Sequence, residues 1–151
     1  MSSNNSSVEE KLFTGNSFFD DRGYLSFFND FNEWNKIVRF YQVENRKVDS
    51  IRAFHGHKRE TKYVYVAKGA ILLHIATTKG VQKSYILDAS KPQILKLIPD
   101  GVSPIFHGFK ILEPGTIIQF FSDKSLEESQ NDDFRLAWDC FGTKLWEDNF
   151  R

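Results

Sequence analysis

Arg52-Ala53-Phe54-His55-Gly56-His57-Lys58, followed three residues later by Lys62-Tyr63-Val64-Tyr65-Val66-Ala67-Lys68-Gly69, sets two imidazoles two positions apart at the mouth of an apolar, alternating run. Residues i and i+2 of a strand leave the same face, so His55 and His57 are expected to project into one space. Val64 and Val66, alternating with Tyr63 and Tyr65, have the β-branched and aromatic character of a second strand, which Gly69 ends. Arg52 and Lys62 bring two cations to the same neighbourhood.

Outward from this centre, short apolar runs recur between turn residues. Upstream lie residues 24–28 after Asp20-Asp21-Arg22-Gly23, residues 37–43 before Glu44-Asn45-Arg46-Lys47, and residues 50–54, which lead into the histidines. Downstream lie residues 63–67, 70–76, 83–87, 93–98, 105–112 and 116–121. These nine strand candidates are joined by short gaps, and no long helical period interrupts them. An all-β sandwich or barrel of the jelly-roll kind follows. The polar segment 122–133 reads as a loop with a helical turn at Leu126-Glu127-Glu128, and 134–146 as a last structured piece. Residues 1–10 are polar and read as a disordered terminus, leaving residues 11–151 as one domain without an internal repeat.

Twenty basic and twenty acidic side chains cancel, so the chain lacks the basic excess of a general nucleic-acid or anionic-membrane binder. No apolar run approaches the roughly 20 residues of a membrane span. The single cysteine, Cys140, can form no internal disulfide, and residues 1–10 have neither the basic start nor the apolar centre of a signal peptide. A cytoplasmic protein is therefore expected. The many aromatic residues suit strands and offer flat faces to sugars and bases. Trp138, Trp146 and Cys140 read as core or interface residues, and His74 as structural.

Asp21-Arg22-Gly23-x-Leu25, Arg52-x-x-His55, Lys62 with Gly69, Ile98-Pro99-x-Gly101 ahead of His107-Gly108-Phe109, and Arg135-x-x-Trp138-Asp139-x-x-Gly142 follow one another in a recognisable order. With these motifs the chain resembles the cupin-fold dTDP-sugar epimerases and isomerases, typified by dTDP-4-dehydrorhamnose 3,5-epimerase, over most of residues 18–146. Around the histidines it resembles the dTDP-4-keto-6-deoxyglucose 3,4-ketoisomerases, which carry Arg-Gly-x-His-Ala-His-Lys. Trp138-Asp139 and Trp146 are similar instead to the epimerases. The resemblance implies a cupin-type jelly-roll β-barrel, a homodimer, no cofactor, and a nucleotide-linked 4-keto-6-deoxyhexose as substrate in deoxysugar or surface-polysaccharide biosynthesis. It favours 3,4-ketoisomerisation over 3- or 3,5-epimerisation.

Metal-binding cupins continue the His-x-His pair with a glutamate ligand separated by six residues from a glycine. Here Lys62 stands at that place, and its charge repels a divalent ion, so no metal is expected. In the 3,5-epimerases a histidine base pairs with an aspartate near a longer C-terminus, and a tyrosine acts as acid. That tyrosine aligns with Gln119, and a ketoisomerase tyrosine near the substrate aligns with Gln42, which assigns Tyr41 to the opposite strand face. An amide transfers no proton at neutral pH, so Gln42 and Gln119 are expected only to bind substrate.

The residues support the same chemistry without the family. Removing a hydrogen α to a ketone needs a base that titrates near neutrality and a positive group beside the developing enolate oxygen. His55 or His57 can be the base, with Lys62 and Arg52 as the cations; one imidazole can take a proton while the other returns one to the adjacent carbon. Arg22, with Arg52, is a candidate for a pyrophosphate, since a guanidinium binds phosphate oxygens bidentately. His107 is a candidate site-lining residue. Two other readings remain open: a non-catalytic cupin that binds a sugar nucleotide, and a metal cupin in which His55 and His57 are joined by Glu60 or His107.

Overall fold

The computed structural model describes residues 8–147. Each of the nine expected runs is a strand, and three further strands complete the set. In chain order they are β1 (Glu9–Thr14), β2 (Asn16–Asp20), β3 (Gly23–Phe27), β4 (Arg39–Asn45), β5 (Ile51–His57), β6 (Lys62–Lys68), β7 (Ala70–Thr77), β8 (Gly80–Asp88), β9 (Gln93–Ile98), β10 (Ile105–Ile111), β11 (Thr116–Ser122) and β12 (Phe134–Arg135). A short helix, α1 (Leu126–Gln130), occupies the expected helical turn, closed at its start by a capping box between Ser125 and Glu128.

One sheet runs β1-β9-β6-β11-β4 and the other β12-β5-β10-β7-β8, with β2 and β3 as a separate hairpin. All pairings are antiparallel. This is the cupin jelly roll. β1 starts inside the segment read as disordered: Glu9–Thr14 pair with Ile98–Gln93, and Val8 is buried against the core. Residues 1–7 lie outside the described residues.

Val64, Val66, Ile71, Leu73, Ile75, Leu95, Leu97, Ile111 and Ile118 fill the space between the sheets. β7 is buried on both faces and, but for His74, apolar from Ala70 to Ala76. Ile71, Leu73 and Ile75 point into the barrel, whereas Ala76 packs outward with Phe54, Phe106 and Trp146. The C-terminal segment is held there by polar contacts: Lys110 Nζ donates to Trp146 O (2.6 Å), and His74 Nε2 donates to Leu145 O (3.0 Å). Trp146 is thus a core residue as expected, while Trp138 and Cys140 are exposed.

Buried Glu33 ties the segment between β3 and β4 to the first sheet, accepting hydrogen bonds from Tyr63 Oη and Lys96 Nζ at 2.7 Å each. Burial works to raise its pKa, but Lys96, Tyr63 and Lys36 outweigh burial and bring it to about 2. A depressed carboxylate stabilises the fold above its ordinary value of 4.5 and ceases to do so as pH falls toward about 2. Glu33→Gln is therefore expected to lower the melting temperature at pH 7 and to flatten its fall between pH 4.5 and 2. The cost at pH 7 should resemble the roughly 1.5–3 kcal/mol of a hydrogen bond to a charged group. Parallel melting curves for variant and wild type at all pH values would contradict this role.

Candidate active site

The site is built on an irregularity in β5. His107 on β10 lies opposite His55, and Phe109 lies opposite Arg52, so two residues of β5, Ala53 and Phe54, face the single residue Gly108. Such a bulge lets residues three apart share a face, and it brings Arg52 and His55 to the same cavity. Gly108 is required by the close approach, because a Cβ there would lie 2.4 Å from the Ala53 Cβ. The Ala53–Phe54 peptide bond is cis. Phe54 packs away from the cavity against Phe141 and Trp146. Gly56, between the histidines, leaves room for the Phe106 ring, which would meet a Cβ at 2.5 Å.

The cavity has a volume of about 380 Å³ and lies between the sheets, walled by β4, β5, β6, β10 and β11 and by residues from 126 to 135. That is within the size range of small-molecule sites. Four cations, Arg39, Arg52, Lys62 and Arg135, line it with one carboxylate, Asp133, so its lining is positive. The three histidines cluster: the His107 ring centroid lies 6.2 Å from that of His55 and 6.4 Å from that of His57. Burial lowers the His55 pKa, and Arg135, Lys62 and His57 lower it further against the opposing pull of Asp133. His107 is buried, and burial, with the nearby Lys62, His57 and His55, drives its pKa well below the ordinary value. Both shifts favour the uncharged ring at neutral pH.

Lys62 sits at the crossing of the polar contacts. Its Nζ donates to Tyr41 Oη (2.9 Å) and to His57 Nε2 (3.4 Å), and it lies 3.5 Å from Glu60 Oε2. Glu60 also pairs with Arg39 Nη2 (3.1 Å) and accepts from Ser129 Oγ (2.6 Å). Burial pushes the Glu60 pKa upward, but Lys62, hydrogen bonds from Ser122 and Ser129, and His57 together keep it below its usual value. Tyr41 stacks on Phe120 with ring centroids 4.9 Å apart, which points its hydroxyl at Lys62.

His55, His57, Lys62, Arg52 and His107 all line this cavity, but Gln42 and Gln119 do not. On β4 it is Arg39, Tyr41 and Val43 that face inward, and on β11 Phe120. Gln119 Nε2 donates to Gln42 Oε1 (2.9 Å) across the outer surface of the same two strands. The expected parity was therefore inverted, and a tyrosine stands in the site after all. Arg22 is likewise outside: it caps the β2–β3 hairpin, its side chain 85 % exposed and paired with Asp20 at 2.6 Å. Arg39 carries no signal in the sequence, Arg135 stands in a motif without an assigned role, and Tyr41 was expected on the other face; the inward parity of their strands brings them to the cavity. The donor set also bears on the metal reading. Among the described residues no group of three or more His, Cys, Asp or Glu side chains is arranged to hold a metal ion. The Lys62 ammonium, between His57 and Glu60, takes the place a cation would need.

No family model and no curated protein sequence matches the chain. Solved structures do. A dTDP-4-dehydrorhamnose 3,5-epimerase from Bacillus anthracis, with TDP and pyrophosphate bound, superposes with a TM-score of 0.67 at 27 % identity, covering 86 % of this chain and 79 % of that one. A 3,4-ketoisomerase from Helicobacter canadensis gives a TM-score of 0.68 at 20 % identity over 93 % of this chain and 99 % of that one. A mutant 3,4-ketoisomerase from Thermoanaerobacterium thermosaccharolyticum, in complex with TDP-4-keto-6-deoxyglucose, gives 0.66 at 15 % identity over 84 % and 87 %. The chain shares the cupin fold of these dTDP-sugar epimerases and ketoisomerases.

Proposed function

We infer that this cupin is a nucleotide-sugar isomerase or epimerase, and that it moves the ketone of a dTDP-linked 4-keto-6-deoxyhexose from C4 to C3 in the cytoplasm. The observation that carries the reading is the gathering of His55, His57, Lys62 and Tyr41 in one positively lined cavity. Likeness to the solved epimerase and ketoisomerases supports the substrate class. Tyr41 weighs against the non-catalytic alternative, because it brings to the cavity the titratable hydroxyl that Gln42 and Gln119 lack.

In this reaction His55 takes the hydrogen from C3, and the electron pair passes to O4, where Lys62 and Tyr41 receive the negative charge. His57 takes the proton of the 3-hydroxyl as the ketone forms at C3 and delivers it to C4, which leaves an alkoxide at O4; the proton that His55 took from C3 then passes to O4, and both histidines return to their starting form. Bonds and protons balance without an oxidant. Arg52, Arg39 and Arg135 at the cavity hold the diphosphate by charge-assisted hydrogen bonds.

Arg22 belongs to this reading through a homodimer. The hairpin that carries it exposes apolar side chains on both faces as cross-strand pairs, Phe18 with Leu25 on one and Phe19 with Tyr24 on the other. Packed on a second copy, it brings the Arg22 guanidinium to that copy's nucleotide.

The test is an NMR time course on dTDP-4-keto-6-deoxyglucose in deuterated buffer. Loss of the C3 hydrogen signal followed by a 3-keto product is expected. Exchange at the no-enzyme rate for every keto sugar tried would leave a binding protein, and inversion at C3 or C5 without ketone movement would make the chain an epimerase.

A further inference from the structure

The segment from 123 to 133 is tied to the site through Asp123, Ser129 and, closest to the histidines, buried Asp132. Its carboxylate accepts hydrogen bonds from three consecutive backbone N–H groups at the end of β5: Lys58 and Arg59 at 2.8 Å and Glu60 at 3.0 Å. Its own carbonyl oxygen lies 2.6 Å from His57 Nδ1, nearer than Glu60 Oε1, which is 3.5 Å from the same nitrogen. A carbonyl can only accept, so Nδ1 carries the hydrogen. Neutral His57 then has its lone pair at Nε2, where the Lys62 ammonium, itself only a donor, points. Burial works to raise the Asp132 pKa, but the three N–H bonds and His57 hold it below its usual value, so the clamp stays charged.

We propose that Asp132 is a positioning residue that fixes the tautomer of His57 and thereby makes this ring a proton acceptor at Nε2 at the start of each turnover. Side chain and carbonyl act together. The carboxylate binds the strand end that carries His57, and the same residue's carbonyl takes the Nδ1 hydrogen, so the ring can neither flip nor exchange tautomers without releasing the segment. The catalytic meaning rests on the isomerase reading above, since it assigns His57 the 3-hydroxyl proton. The tautomer itself does not depend on that reading. A histidine free of such a partner divides its hydrogen between the two nitrogens, and a ring with hydrogen at Nε2 cannot accept there.

Long-range proton–nitrogen NMR of the full chain, with ring-labelled histidine and His57 assigned from a His57→Gln variant, reads the tautomer directly. The wild type is expected to hold hydrogen on Nδ1 of His57. In Asp132→Ala, which keeps the backbone carbonyl but frees the strand end from the segment, the Nε2–H form should gain share against the remaining Lys62 and Glu60 contacts, and in the isosteric Asp132→Asn, which keeps one acceptor oxygen and is the variant to use if alanine prevents folding, the gain should be smaller. Turnover should fall roughly 10–100-fold in the alanine variant, the range of a misplaced catalytic group, mainly in kcat, with asparagine between it and wild type. Hydrogen on Nε2 in the wild type, or an unchanged ring in a folded Asp132 variant, overturns the proposal. Because the spectrum needs no substrate, the proposal stands or falls separately from the exchange assay.

Discussion

His55→Asn is expected to lower turnover of dTDP-4-keto-6-deoxyglucose by roughly 10²–10⁴-fold, the contribution of a positioned general base, while nucleotide binding stays close to that of the wild type. Asparagine fills the imidazole's space but cannot take the C3 hydrogen. Exchange of that hydrogen with deuterated solvent should therefore stop along with product formation. His57→Asn should behave differently, retaining exchange at C3 but losing product, because the 3-hydroxyl proton no longer has a route to C4. The pH dependence carries a sign. A base must be neutral to act, and burial, then Arg135, holds the His55 pKa below 6.5. The acid limb of kcat/KM is accordingly expected below pH 6.5, and Arg135→Ala should move it upward by removing the second cause. Full exchange in His55→Asn would transfer the role to another group.

How legible this site was depended on which physical rule governed each residue. His55 and His57 could be paired from spacing alone, since i and i+2 share a face in any strand. Arg52 and His55 could not, because their sharing a face depends on a bulge against Gly108 that only the partner strand reveals. On β4 the run Phe40-Tyr41-Gln42 offers an aromatic residue to either face, so its pattern leaves parity undecided. Packing decides it: Phe40 lies against Phe121 on the outside, and Tyr41 stacks on Phe120 inside. A slip of one residue exchanges the two faces, and it placed Gln42 and Gln119 where Tyr41 and Phe120 are. β1, β2 and β12 escaped notice for a related reason. They are short or edge strands with exposed side chains, and their partners β9, β3 and β5 lie elsewhere in the chain or across a tight turn. Asp132 gave no periodic signal at all, being a residue of a polar loop whose role is set by three backbone N–H groups more than 70 residues earlier.

Lys62→Met is expected to produce the other large effect, on rate and stability together. The ammonium contacts Tyr41 Oη, His57 Nε2 and Glu60 at once, so its loss removes the positive charge offered to O4 and leaves the Tyr41 hydroxyl without its donor. Losing one such preorganised donor costs roughly 10²–10³ in kcat. Glu60 suffers separately. It is buried, and breaking a buried ion pair by removing one partner costs about 3–5 kcal/mol when the remaining charge is left alone. Here Arg39 and Ser129 still hold it, so the loss should fall short of that range. The double variant Glu60→Gln with Lys62→Met separates the two effects. Neutralising Glu60 removes the uncompensated charge, so the double variant should melt above Lys62→Met alone, yet its turnover should stay as low because the charge beside O4 is still missing. Recovery of activity together with stability would mean that Lys62 serves the fold alone, and wild-type turnover in Lys62→Met would take the enolate contact away from it altogether.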